Sequence, residues 1–148
     1  MRMDRGPALI ITLAVGGVIA LQPPANARLS DHVGDLGAAF ISLLISVTIV
    51  GVIMAATGHA GRLSGLSDFR PVHLIGGIGG AGIVAVSLVT VRSLGAGAVV
   101  AALVCTQLLV ALVVDRYGLF GVDEVALSAQ RLAGAALLIA GTILITAR

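Results

Sequence analysis

Every charged residue of this chain lies between or at the edges of five uncharged, apolar stretches. That segregation decides what the chain can fold into. The stretches run from Pro7 to Ala27, Leu36 to Gly58, Leu74 to Val91, Ser93 to Val114 and Leu132 to Ala147, the last borrowing Ala129 and Gln130 to reach full length. A helix of about 20 residues, rising about 1.5 Å per residue, crosses the roughly 30 Å hydrocarbon core of a bilayer. The stretches are continuous rather than alternating, so helices are predicted in preference to barrel strands. No Asp, Glu or Arg sits mid-run, where each would cost about 2.5–3.5 kcal/mol on insertion scales. The predicted fold is all-α: a polytopic membrane protein with one transmembrane domain, 1–148, and spans at about 7–27, 36–58, 72–91, 94–114 and 129–147. Phe40, Phe69, Tyr117 and Phe120 fall near span ends, where large rings favour the interface.

Composition excludes the competing classes. Hydrophobic residues make up 58% of the chain and charged residues 11%, too few to clothe a soluble surface that ordinarily carries about 25%. The nine basic residues are all arginine and are scattered, so no surface tracks phosphates and no nucleic-acid partner is expected. The single cysteine, Cys105, excludes an intrachain disulfide and reads as a small packing residue. His32, His59 and His73 lie in separate connectors or span edges, and Ser64 and Ser67 have no adjacent base. Asp31, Asp35, Asp68 and Asp115 read as interfacial charges, and no carboxylate lies deep in a span. The sequence therefore predicts no enzyme, no metal and no cofactor.

The amino terminus carries a basic start, an apolar run to Leu21 and Ala25-Asn26-Ala27, a signal-peptide pattern. The favoured reading is an uncleaved first span. Arg2, Arg5, Arg62, Arg70, Arg116 and Arg131 fall on the side of the amino terminus, and Arg28, Arg92 and Arg148 on the other. Six against three favours a cytoplasmic amino terminus, with a bias small enough to permit insertion in both orientations. Between the fourth and fifth spans, Asp115 to Gln130 reads as an interface-hugging connector, with Asp123 or Ser128 capping the last helix.

Gly77-Ile-Gly-Gly-Ala-Gly82 matches the dinucleotide fingerprint in form, but it lies inside an apolar run with no acid until Asp115. Helix packing explains it better, with Gly76 and Gly80 as a close-approach pair and Gly134 and Gly141 as a second small face in the fifth span. Polar residues within the spans are the candidates for a site. Gln22 and Asn26, four apart, share one helix face. Pro23 and Pro24 between them remove two backbone donors, which either breaks the helix as transporter sites do or starts a new turn at the surface. Gln107, well inside the fourth span, needs a partner, either a solute or another helix. Ser42, Ser46, Thr48, Ser87, Thr90 and Thr142 are expected to bond their own helix backbones.

In order along the chain stand Ala20-Leu21-Gln22-Pro-Pro-Ala-Asn26-Ala-Arg-Leu29, Leu74-Ile-Gly-Gly-Ile-Gly-Gly, Arg92-Ser-Leu-Gly95-Ala, Thr106-Gln107-Leu108, Asp115-Arg-Tyr-Gly118-Leu and Gln130-Arg131-Leu-Ala-Gly134. This order resembles the five-helix YdcZ-type branch of the drug/metabolite transporter superfamily, from about Gly16 to Leu144. The resemblance implies a multi-pass protein of the bacterial plasma membrane and one half of an inverted-repeat transporter fold. It also implies alternating access in an antiparallel homodimer, or a heterodimer with an inverted relative, moving a small-molecule substrate. Gln22, Asn26 and Gln107 would then line the site, with Gly76 and Gly80 allowing close packing. His73 departs from the aromatic residue usual in the family before the third span. The chain also lacks the mid-span glutamate of the four-helix multidrug exporters, so that group's proton cycle is not implied. The competing class is a membrane scaffold or accessory subunit whose small residues and amides only hold helices together.

Overall fold

The computed structural model describes residues 4–147, apart from the side chains of Arg5, Leu66 and Asp68. Arg2 and Arg148, which enter the orientation count, and the start of the signal-like pattern lie outside the described residues, as does the Asp68 side chain. Among the described residues the chain is helical throughout its apolar stretches: α1 (Arg5–Ala56), α2 (Leu74–Leu94), α3 (Ala96–Tyr117) and α4 (Ala129–Thr146). Four candidate membrane-spanning helices result, the first of them running 51 residues from Gly6 to Ala56.

That first helix is two arms. Gly34 has φ 73° and ψ 165°, a conformation outside the helical region that a side chain resists. Asn26 and Ser42, 16 residues apart, are hydrogen-bonded, whereas an unbroken helix would hold them about 24 Å apart. The chain therefore doubles back at Gly34, giving arms 5–33 and 35–56, each long enough to cross. With α2, α3 and α4 these make five helical segments on the five predicted apolar stretches.

The chain divides into two compact units, Met1–Arg92 and Ser93–Arg148. In the first, arm 35–56 packs on α2 through Ala38, Ala39, Val84 and Leu88, with Ala27, Leu29 and Leu43 around them. Ala38 and Leu88 are almost wholly enclosed, at 0% and 1% exposure. Lipid tails are as apolar as leucine, so this contact is held by van der Waals fit, and alanines let the helix axes approach.

Two local features differ from expectation. The charged stretch from Arg28 to Asp35 reads as a loop, yet arm 5–33 stays helical up to Gly34. Its backbone bonds need no loop at an interface where polar side chains can reach water. The guanidinium of Arg92 on α2 also donates to the carbonyl of Ala27 at 3.0 Å, near the arm's carboxyl end, where a cation complements the helix dipole. The twin prolines neither break the helix nor start a new one. The arm keeps helical dihedrals through Pro23 and Pro24. Proline's fixed φ is helical, and membrane helices tolerate the lost donors where neighbouring groups compensate.

In the second unit α3 and α4 lie side by side. Thr142 donates to the carbonyl of Ala101 at 3.3 Å, crossing to the neighbouring helix rather than bonding its own as expected. Gly118, at φ 58°, ends α3 in the left-handed conformation common at helix carboxyl ends. The connector then folds back, with the Val125 N–H donating to the Asp115 carbonyl at 2.8 Å. Ser128 caps α4, its hydroxyl accepting from the Arg131 N–H at 3.2 Å. Of the two expected caps, Ser128 is the one in place.

Candidate functional site

The first unit gathers amides onto one hydroxyl. Asn26 Nδ2 donates to Ser42 Oγ at 3.3 Å, and Gln22 Nε2 donates to the same atom at 3.4 Å. The shared helix face of Gln22 and Asn26 thus becomes a shared partner across the hairpin. Asn26 is buried at 7% exposure, while Gln22 and Ser42 are half-buried. Asn26 and Ser42 each stand eight residues from Gly34, about 12 Å along their arms, and Asn26 lies at the end of the first apolar stretch, two residues before Arg28. Donating to Ser42 leaves each amide its carbonyl oxygen as a further acceptor. The cluster can therefore receive a donor-bearing solute group at the end of the first apolar stretch.

Ser42 was not a candidate in the sequence, where its expected partner was its own helix. Ser46, Thr48, Ser87 and Thr90 do bond their own helix carbonyls, at 2.7 to 3.2 Å. Ser42 differs because it lies as far past Gly34 as Asn26 lies before it, the register in which hairpin arms face one another.

Gln107 belongs to the second unit. It is exposed on α3 and has no hydrogen-bond partner among the described residues. It is thus not the helix-to-helix bond within this unit that a buried amide predicts. With Thr106, Val110, Ala111, Val114 and Asp115 it lines an open recess of about 390 Å³. Cys105, two residues away, is buried. A second recess of about 360 Å³ lies between α3 and α4, lined among others by Ala111, Asp115, Arg131 and Gly134. Apart from their own helix backbone and chain neighbours, Gly134 and Gly141 have no described heavy atom within 4 Å of where a Cβ would stand, and the same holds for Gly76 and Gly80. No close approach in this chain requires glycine at these four positions.

Ion pairs mark the ends of the helices. Arg92 reaches Asp31 at 2.5 Å and Ser30 Oγ at 2.7 Å, joining α2 to the first arm. Arg131 reaches Asp115 at 3.1 Å, joining α4 to α3. That partner explains a cation in the first turn of a helix, where the dipole disfavours it. His73 accepts from the Arg70 N–H at 3.1 Å and packs edge-on against Phe69, with ring centroids 5.5 Å apart. The imidazole thus has both a polar and an aromatic contact at the start of α2. Among the described residues, no three His, Cys, Asp or Glu side chains come together as metal ligands would.

An apolar, five-segment helical chain with amides gathered between its helices and charges at the helix ends is the form of a membrane-embedded domain. A family model described as "Putative inner membrane exporter, YdcZ" matches residues 7–144. No curated protein and no solved structure matches the chain. The matched segment covers nearly the whole of the five helical segments, and the chain accordingly belongs to the YdcZ family of inner-membrane exporters, as a multi-pass membrane protein of the transporter class.

Proposed function

We propose that the chain moves a small neutral or zwitterionic solute by alternating access, working as an antiparallel homodimer or with an inverted relative. The observation that carries this is the convergence of Gln22 and Asn26 on Ser42, across the hairpin of the two arms. A five-segment chain is a single repeat, and a site that opens to either side needs two repeats inverted relative to one another. Gln22, Asn26 and Gln107 contribute the polar lining. Gly76, Gly80, Gly134 and Gly141, uncrowded here, offer small faces to the second copy. With no carboxylate or guanidinium deep in a span, solute recognition falls to amides, hydroxyls and carbonyls, which suit uncharged or charge-balanced groups.

A scaffold role has one observation in its favour: the amide donors are already taken up by Ser42, as interhelical bonds would be. Flux separates the two. The purified full chain in proteoliposomes, loaded with radiolabelled neutral and zwitterionic amino acids, should release at least one of them faster than protein-free vesicles. Asn26→Leu and Gln107→Leu should each abolish that release without lowering the amount of protein inserted. Release by neither the unmodified chain nor any variant contradicts transport of this solute class. Release that survives both substitutions contradicts the site assignment.

A further inference from the structure

We propose that Arg92 is the latch of a gate, and that its release opens a water path from the charged Gly34 end of the hairpin to the Gln22–Asn26–Ser42 cluster. This rests on the transport reading above and names the group that closes its site on one side.

The hairpin register defines what lies in that path. Asn26 and Ser42 each stand eight residues from Gly34, and Ser30 and Ala38 each stand four, about one helical turn nearer the bend. Residues four apart share a helix face, so the rung of Ser30 and Ala38 lies between the cluster and the charged end. Both are buried, at 6% and 0% exposure. Leu88 of α2 belongs to the same buried cluster as Ala38. Arg92 stands four residues beyond Leu88, on the same face of α2, and reaches across to arm 5–33. Ser30, Ala38 and Leu88 thus form a plug, and the guanidinium is its outer fastening.

The bonds of that fastening are suited to opening. Nη2 of Arg92 faces three acceptors: the Ala27 carbonyl at 3.0 Å, Ser30 Oγ at 2.7 Å and the Asp31 carboxylate. A nitrogen with two hydrogens cannot satisfy three acceptors fully at once. When the guanidinium leaves, Ser30 keeps its own bond to the Ala27 carbonyl at 2.8 Å, so no buried hydroxyl is stranded. The side chains of Arg92 and Asp31 are about half exposed, at 50% and 54%, so water takes up both charges. Breaking a buried ion pair is costly because a charge is left without water, and this pair leaves none. A half-exposed pair is weak enough to part and re-form.

The test uses the full chain in native membranes, with Cys105→Ala removing the native thiol and Ala38→Cys placing one in the plug. N-ethylmaleimide is uncharged, crosses membranes and attacks the thiolate, a form that needs water. Its labelling rate is measured with Arg92 present and with Arg92→Gln, which removes the attraction to Asp31 and Asp35 together. Labelling should be slow with Arg92 in place, and Arg92→Gln should speed it about two- to fivefold, the change expected when a half-exposed ion pair no longer holds the closed form. The exchange of Arg92→Asp with Asp31→Arg should return the rate toward the slow value. A chain that keeps Ala38 and its buried Cys105, in the second unit, reports general loosening, and its rate should not change with Arg92→Gln. An unchanged rate at Ala38→Cys, or an equal rise at Cys105, would overturn the gate and leave transport to its own flux assay. An exchange that stays fast would overturn the ion pair as the fastening. A rise confined to Ala38→Cys in a chain that moves no solute in proteoliposomes would overturn the transport reading and leave the latch in place.

Discussion

Ser42→Ala tests the polar contact that joins the two arms of the hairpin. The substitution removes the one acceptor that Asn26 and Gln22 share, at 3.3 and 3.4 Å. Both distances lie just beyond the usual N–H···O range of about 2.7–3.2 Å. Each bond therefore belongs at or below the average of about 0.6 kcal/mol measured between membrane helices. Gln22 is half-buried and can turn to other partners, whereas Asn26, buried at 7% exposure, cannot. The expected loss is about 1 kcal/mol, most of it from the stranded Asn26 amide. With Asn26→Leu already in place, Ser42→Ala should cost only about 0.3 kcal/mol, so the cycle gives a coupling of about 0.7 kcal/mol. Reversible unfolding in mixed micelles, titrated with dodecyl sulfate and followed by circular dichroism, measures all four variants. An equal cost of Ser42→Ala in both backgrounds would refute the arm-to-arm bond and with it the folded-back hairpin register.

Three further substitutions probe the framework by the same unfolding assay. Leu88→Ala, at a side chain 1% exposed between α2 and arm 35–56, should cost about 2 kcal/mol, the low end for a core cavity because lipid supplies no hydrophobic term. Gly34→Ala puts a side chain at φ 73° and ψ 165°, and should cost about 1–3 kcal/mol through local backbone strain alone, since no more distant atom of the described residues lies within 4 Å of the new Cβ. Ser128→Ala should cost about 1 kcal/mol through loss of the α4 cap, and Ser128→Asp should restore most of it.

The five crossing segments are legible in the sequence because the bilayer enforces a rule that composition obeys: no charge mid-span. The turn is less legible. Arg28, Asp31 and Asp35 mimic a loop, and nothing local shows that Arg92, more than 60 residues on, closes against Ala27, Ser30 and Asp31. The role of Ser42 follows from arithmetic once Gly34 is fixed as the turn, since Asn26 and Ser42 are equidistant from it. Before that, a serine bonding its own helix is the better expectation, and it holds for Ser46 and Thr48. Thr142 has no such signal, because its reach to Ala101 depends on the register of α4 against α3. Gln107 stands out from sequence as an amide in need of a partner, but its outward direction is a matter of helix rotation that an evenly apolar span does not encode.

The central claim is that inverted copies work together, and membrane orientation tests it most directly. A phosphatase that is active only outside the cytoplasm and a fluorescent protein that is bright only inside it are fused in turn to the carboxyl end of the chain. The inverted homodimer predicts that both fusions give signal at comparable protein levels, because each chain inserts both ways. Signal from one fusion alone would fix a single orientation and contradict the homodimer, leaving an oppositely oriented relative as the only source of the second repeat.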